Sequence, residues 1–169
     1  MALLCVVSVI LYVVALHAPP LVQPLELVVS MAILFYASHP LGHLVVARLY
    51  GVRVDYFFLG RSRFRKLVPA ARYLPVVGTK LEPRSFARLD SQRRDAVFAS
   101  GVMVSCAAIT AEFLAALRSD LLLQSKLAAA LLLVVALATE VAFSTKVGDL
   151  RRRKAAPDLP SGAVGASKK

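Results

Sequence analysis

Four windows of this 169-residue chain run with almost no charge, and no other feature restricts its fold as strongly. They cover residues 2–18, 27–47, 96–117 and 127–147. A helix rises ~1.5 Å per residue, so roughly 20 apolar residues match the ~30 Å hydrocarbon core of a bilayer. In that solvent every backbone N–H and C=O must be paired within the segment, which makes the helix the spanning unit for windows of this length. The first two windows contain no Asp, Glu, Lys or Arg; the third holds Glu112, and the fourth holds Glu140 with Lys146 at its end. Composition agrees, at 58% hydrophobic residues and a mean hydropathy of +0.67. The expected fold is an all-α membrane protein with four transmembrane helices and a small cytoplasmic β-hairpin-like insertion between the second and third. Residues 1–150 form the transmembrane domain, and residues 151–169, rich in Ala, Gly, Pro, Ser and Lys, read as a basic disordered cytoplasmic tail.

Charge sets the expected orientation. Between Arg48 and Asp95 stand twelve Lys and Arg against four Asp and Glu, and seven more basic residues run from Lys146 to Lys169. The two other connections hold only Arg118 and Lys126. By the positive-inside rule the long middle loop and the tail are cytoplasmic, and four spans put both termini there. The net charge of +11 is therefore an orientation signal that also favours anionic lipid headgroups. No nucleic-acid partner is expected, although Arg61, Arg63, Arg65 and Lys66 surround Phe64. Cys5 and Cys106 lie in apolar runs and suggest neither a disulfide framework nor a thiolate metal site. The first apolar run lacks a basic n-region and a small-residue cleavage site before Pro19-Pro20, so it reads as a retained helix.

Within the middle loop, residues 51–60 form a β-type run bounded by Gly51 and Gly60, with Val52, Val54 and Tyr56 on one face. Residues 74–81, with Gly78 inside, are a second strand candidate that can pair with the first.

Two of the three histidines, His39 and His43, stand one helical turn apart in the uncharged second window. Positions i and i+4 share a helix face, the spacing by which two imidazoles bind one zinc ion. Polar and metal-ligating groups are costly in hydrocarbon, so such a pair marks a site. The structural alternative is a pair of core histidines bonded to neighbouring helices. In the zinc-protease motif HExxH a glutamate general base follows the first histidine; here Pro40 occupies that position and can neither take nor give a proton.

The run from His39-Pro40-Leu41-Gly42-His43 through Ala47-Arg48 and Gly51 to Phe57-Phe58-Leu59-Gly60 resembles the site-2 protease family of intramembrane zinc metalloproteases. That family's pattern is HExGH, a small residue with Arg, then Gly, a β segment and Phe-x-x-Gly, from which only the glutamate departs. Ala99 to Ser105 keeps a glycine, Gly101, of the family's third-span pattern, with Val102 in place of proline and Ser105 in place of asparagine. Phe143 to Leu150 keeps an aspartate, Asp149, without the family's Asn-Pro. The resemblance spans residues 27–150 and makes the first helix an addition to a three-helix core.

The resemblance implies zinc as cofactor, His39, His43 and Asp149 as metal ligands, and a transmembrane helix as substrate or client. Counting inward from Arg48 at ~1.5 Å per residue puts His43 roughly 7 Å and His39 roughly 13 Å inside the cytoplasmic boundary. Glu140 lies near the level of His39, which keeps it open as an alternative third ligand or as a substitute base. Asp149, before an arginine run, also has a plain reading as an interfacial ion-pairing residue, and Glu112 is expected near the outer interface. With Pro40 at the base position, the expectation is a zinc-binding homologue with impaired or absent peptidase activity. An active protease with a relocated base and a metal-free scaffold that holds a client helix are the two alternatives.

The topology is testable by cysteine accessibility. An Arg65→Cys variant is expected to label only from the cytoplasmic side and a Ser119→Cys variant only from the outside; the reverse pattern would invert the orientation.

Overall fold

In the computed structural model, residues 1–61 and 75–146 are described. The chain is mostly helical, in the order α1 (Ala2–His17), α2 (Gln23–Leu49), β1 (Val54–Arg61), β2 (Pro75–Leu81), α3 (Pro83–Ala87), α4 (Ser91–Arg118) and α5 (Leu123–Lys146). Three helices, α2, α4 and α5, are long and apolar enough to cross a membrane. The fourth expected span, α1, has 16 residues and a length of about 24 Å, which is shorter than the hydrocarbon core. The Pro19-Pro20 pair sets its end, because neither residue can donate to a continuing helical ladder. The tail from residue 151 onward lies outside the described residues.

α2 is the hub of the bundle and packs on α1, α4 and α5. It is antiparallel to α4, since Gly42 meets Ser100 while Ser30 meets Glu112. It is parallel to α5, since Gln23 meets Ser125 and His39 meets Glu140. Small residues line these contacts: Ala15, Ala116, Ala129 and Ala136 are buried with Leu27, Met31 and Ile109. Lipid tails are as apolar as leucine, so helices associate through close van der Waals packing, which small residues permit. Large residues point away: Val6, Val9, Ile10 and Val13 on α1 and Leu127, Leu131, Val134 and Val135 on α5 are exposed, as lipid-facing side chains would be.

α2 is followed by a turn at Gly51, whose φ of +72° suits a residue without a β-carbon. The N–H groups of Gly51 and Val52 turn back to the carbonyls of Arg48 and Ala47, at 3.0 and 2.8 Å. Val52 therefore belongs to the helix cap and not to the strand face. It is buried against Ala47, Leu89 and Val97, which anchors the hairpin to the end of the bundle. β1 and β2 pair antiparallel, with an irregularity between Val54 and Tyr56. Phe58 lies over Gly78 on the facing strand, covering the position where a side chain is missing. α4 begins before its apolar window, because Asp90 caps it by accepting from the Arg93 N–H at 2.7 Å.

Glu112 is buried within the bundle. Ser30 bonds its carboxylate, and the Ser30 hydroxyl also lies 2.8 Å from the Ser8 carbonyl, so α1, α2 and α4 meet in one polar cluster. The Ser8 hydroxyl in turn donates to the Ser30 carbonyl at 3.0 Å. Interhelical hydrogen bonds in membranes contribute roughly 0.6–2 kcal/mol each. Ser30→Ala is expected to lower unfolding free energy in detergent by about 1 kcal/mol. A double-mutant cycle with Glu112→Ala should give non-additive losses; strictly additive ones would show that the two side chains do not interact.

Candidate functional site

α2 runs unbroken through Pro40, and the i, i+4 spacing brings His39 and His43 together on the face turned to α4 and α5. The two rings are edge to face, with centroids 4.9 Å apart, and their Nε2 atoms stand 3.3 Å from each other. Each ring is held from behind. His43 Nδ1 lies 2.8 Å from the carbonyl oxygen of Val97 on α4, and His39 Nδ1 lies 3.0 Å from Glu140 Oε1 on α5. A carbonyl only accepts, so Nδ1 of His43 carries the hydrogen, and in the neutral ring its Nε2 presents a lone pair.

Gly101 closes the site from α4. A β-carbon there would collide with Nε2 of His43 and would come within 2.9 Å of Nε2 of His39. Both Nε2 atoms thus pack against the α4 backbone where that side chain is missing. On the same interface, a β-carbon on Gly42 would stand 2.5 Å from the Ser100 carbonyl and 2.9 Å from Val104 Cβ. Ser105, at the position of the resemblance's asparagine, directs its hydroxyl to the carbonyls of Gly101 and Val102 on its own helix. Ser100 likewise donates to Val97, at 2.7 Å.

The Nε2–Nε2 separation is that of a hydrogen bond when one ring carries a hydrogen there, and it also matches the spacing of two nitrogens on one metal ion. Two nitrogens bound to one tetrahedral zinc, each at ~2.0–2.1 Å, lie about 3.3–3.4 Å apart, and the observed separation is 3.3 Å. Among the described residues no group of three His, Cys, Asp or Glu side chains is placed to hold a metal. Asp149, the third ligand implied by the resemblance, lies outside the described residues. Glu140 reaches the outer nitrogen of His39, on the opposite side of the ring from Nε2. Cys5 and Cys106 are free thiols.

Spacing alone pointed to His39 and His43. It could not point to the Val97 carbonyl, since a backbone acceptor on another helix leaves no trace in residue type. Gly101 stood out in the sequence as the glycine kept from the third-span pattern, and the atoms it packs against were not legible. Comparison with protein-family models, with curated proteins and with solved structures finds no match to this chain.

The two glycines are expected to respond differently. A methyl at Gly42 meets backbone, which cannot yield, whereas one at Gly101 meets the ends of two side chains. Gly42→Ala should mainly lower unfolding temperature. Gly101→Ala should force the imidazoles apart and weaken cobalt or zinc binding by roughly tenfold or more, the scale on which disturbed ligand orientation acts. Equal metal affinity in Gly101→Ala and the natural protein would show that this space is not used.

Proposed function

We propose that this protein is a membrane-embedded zinc-site homologue of the site-2 protease type, with impaired or absent peptidase activity, that receives a transmembrane helix of a substrate or client. The observation that carries this reading is the convergence of the two Nε2 atoms at 3.3 Å, opposite a glycine, inside an apolar bundle. It is supported by the order of features along the chain: the histidine pair, then Arg48, the Gly51 turn and the hairpin. α1 is read as a fourth span, paired antiparallel with α2 through Ser8 and Ser30, so that both termini face the cytoplasm.

His39 and His43, with Asp149 as the third ligand, would hold the zinc. When bound, zinc supplies Lewis acidity that polarises a peptide carbonyl and lowers the pKa of water. The chain's own contribution to hydrolysis is then the transfer of a proton from water to the leaving amine. A glutamate after the first histidine would perform it; Pro40 has no acceptor atom on its side chain. A general base contributes roughly 10²–10⁴-fold, so its loss leaves a slow enzyme or a binding protein. The bundle keeps what metal binding requires of the pair: both Nε2 atoms turned to one side, with α4 packed directly over them at Gly101.

Purified protein is expected to carry close to one zinc per chain, with most of it lost in His43→Ala. Pro40→Glu restores the absent base and should raise cleavage of a model transmembrane substrate on the order of 10²-fold over the natural sequence. Robust cleavage by the natural sequence would overturn the assignment of impaired activity. A folded, zinc-free protein whose histidine variants behave normally would instead support a metal-free scaffold.

A further inference from the structure

Glu140 is the one carboxylate among the described residues that reaches the histidine pair, and its position excludes two roles that its depth in the membrane leaves open. We infer that Glu140 is a positioning residue: it fixes the orientation and tautomer of His39 from the outer side of the ring. This rests on the two-histidine metal reading and specifies how that site is held.

The buried stripe of α5 contains Ser125, Ala129 and Ala136, and Glu140 continues it at the next helical turn, so the same face that packs on the bundle delivers the carboxylate. Polar contacts fix the rotation of α5 against α2 at both ends. At one end the Gln23 side-chain oxygen accepts from the Ser125 hydroxyl at 2.9 Å and from the Leu122 N–H at 3.0 Å. At the other, Glu140 Oε1 stands 3.0 Å from His39 Nδ1, with the Glu140 side chain only 12% exposed. A carboxylate oxygen accepts, so His39 Nδ1 carries the hydrogen, and in the neutral ring Nε2 then presents its lone pair towards His43 and Gly101. Val97 imposes the same tautomer on His43 through its carbonyl. The two partners differ in chemistry but have one effect: both Nε2 lone pairs face one space.

A carboxylate behind a ligating imidazole orients the ring and raises its basicity, and removing such a partner costs roughly 10–100-fold in metal affinity. A direct ligand would have to stand on the Nε2 side of the two rings, and a base would have to approach the reacting water there. Glu140 is on the far side of the His39 ring from both positions.

The test uses the full-length protein in detergent or nanodiscs, with two readouts. Zinc affinity is measured by chelator competition for the natural sequence, Glu140→Ala, Glu140→Gln and His39→Ala. Glu140→Ala is expected to weaken zinc by roughly 10–100-fold. Glu140→Gln, whose amide oxygen still accepts from Nδ1–H, should recover most of that loss, and His39→Ala should abolish binding. Loss of zinc in both Glu140 variants as complete as in His39→Ala would make Glu140 a ligand and overturn the inference. The second readout is ¹⁵N imidazole NMR of metal-free protein, simple to assign because the chain has three histidines. His39 should be the Nδ1–H tautomer in the natural sequence and in Glu140→Gln, and a mixture of tautomers in Glu140→Ala. An unchanged His39 tautomer in Glu140→Ala overturns the inference even if zinc binds. A natural protein that never binds zinc, yet shows the tautomer change, would refute the metal reading while leaving the positioning role standing.

Discussion

The close approach of α2 and α4 is the contact on which the rest of the bundle depends. Hydrocarbon gives helices little reason to associate beyond packing and a few polar bonds, so distance of approach decides what can form. Gly42 lets the α4 backbone at Ser100 come against α2, and Gly101 lets α4 lie directly over the two imidazoles. At that spacing the Val97 carbonyl is within reach of His43, and further along the same antiparallel pair Glu112 is within reach of Ser30. A wider side chain at Gly42 would separate the helices, and one at Gly101 would displace the two imidazoles that α4 lies over.

α5 is held differently. Much of its surface faces outward, and its inner stripe is small, so shape complementarity alone specifies its rotation weakly. The Gln23–Ser125 and His39–Glu140 contacts supply the missing specification, because a polar group turned from its partner into lipid would lose a hydrogen bond with nothing to replace it. The same argument applies to α1, whose Ser8 is bonded into the Ser30–Glu112 cluster. Packing thus sets how near the helices stand, and a few buried polar side chains set how they are turned.

Under the proposed function, the substitution at Pro40 separates two properties that a peptidase normally combines. Ligation depends on the i, i+4 geometry of His39 and His43, and α2 preserves it through the proline. Proton transfer depends on one side chain at position 40, and proline has none to offer. On that proposal the chain would retain the capacity to hold a metal and a helix while giving up most of the rate.

Residue type and spacing alone determined the three long apolar helices, the presence of a hairpin between the second and third spans, and the histidine pair, because each depends on local periodicity: about 20 apolar residues for a span, alternation for a strand, and 3.6 residues per turn for His39 and His43. They did not determine the hairpin's bound at Gly60, which lies inside β1. The boundaries were less legible where a cap or a turn overrode the hydropathy pattern, as at Asp90 ahead of α4 and at Val52, which the Gly51 turn draws into the helix cap. Only the tertiary structure decided what stands behind each imidazole and where the carboxylates go. Glu112 and Glu140 are equivalent in sequence terms, each a single acid in an apolar span. The rotation of α4 turns one to Ser30 and the rotation of α5 turns the other to His39, and those rotations arise from contacts between residues up to about a hundred positions apart that no local pattern encodes.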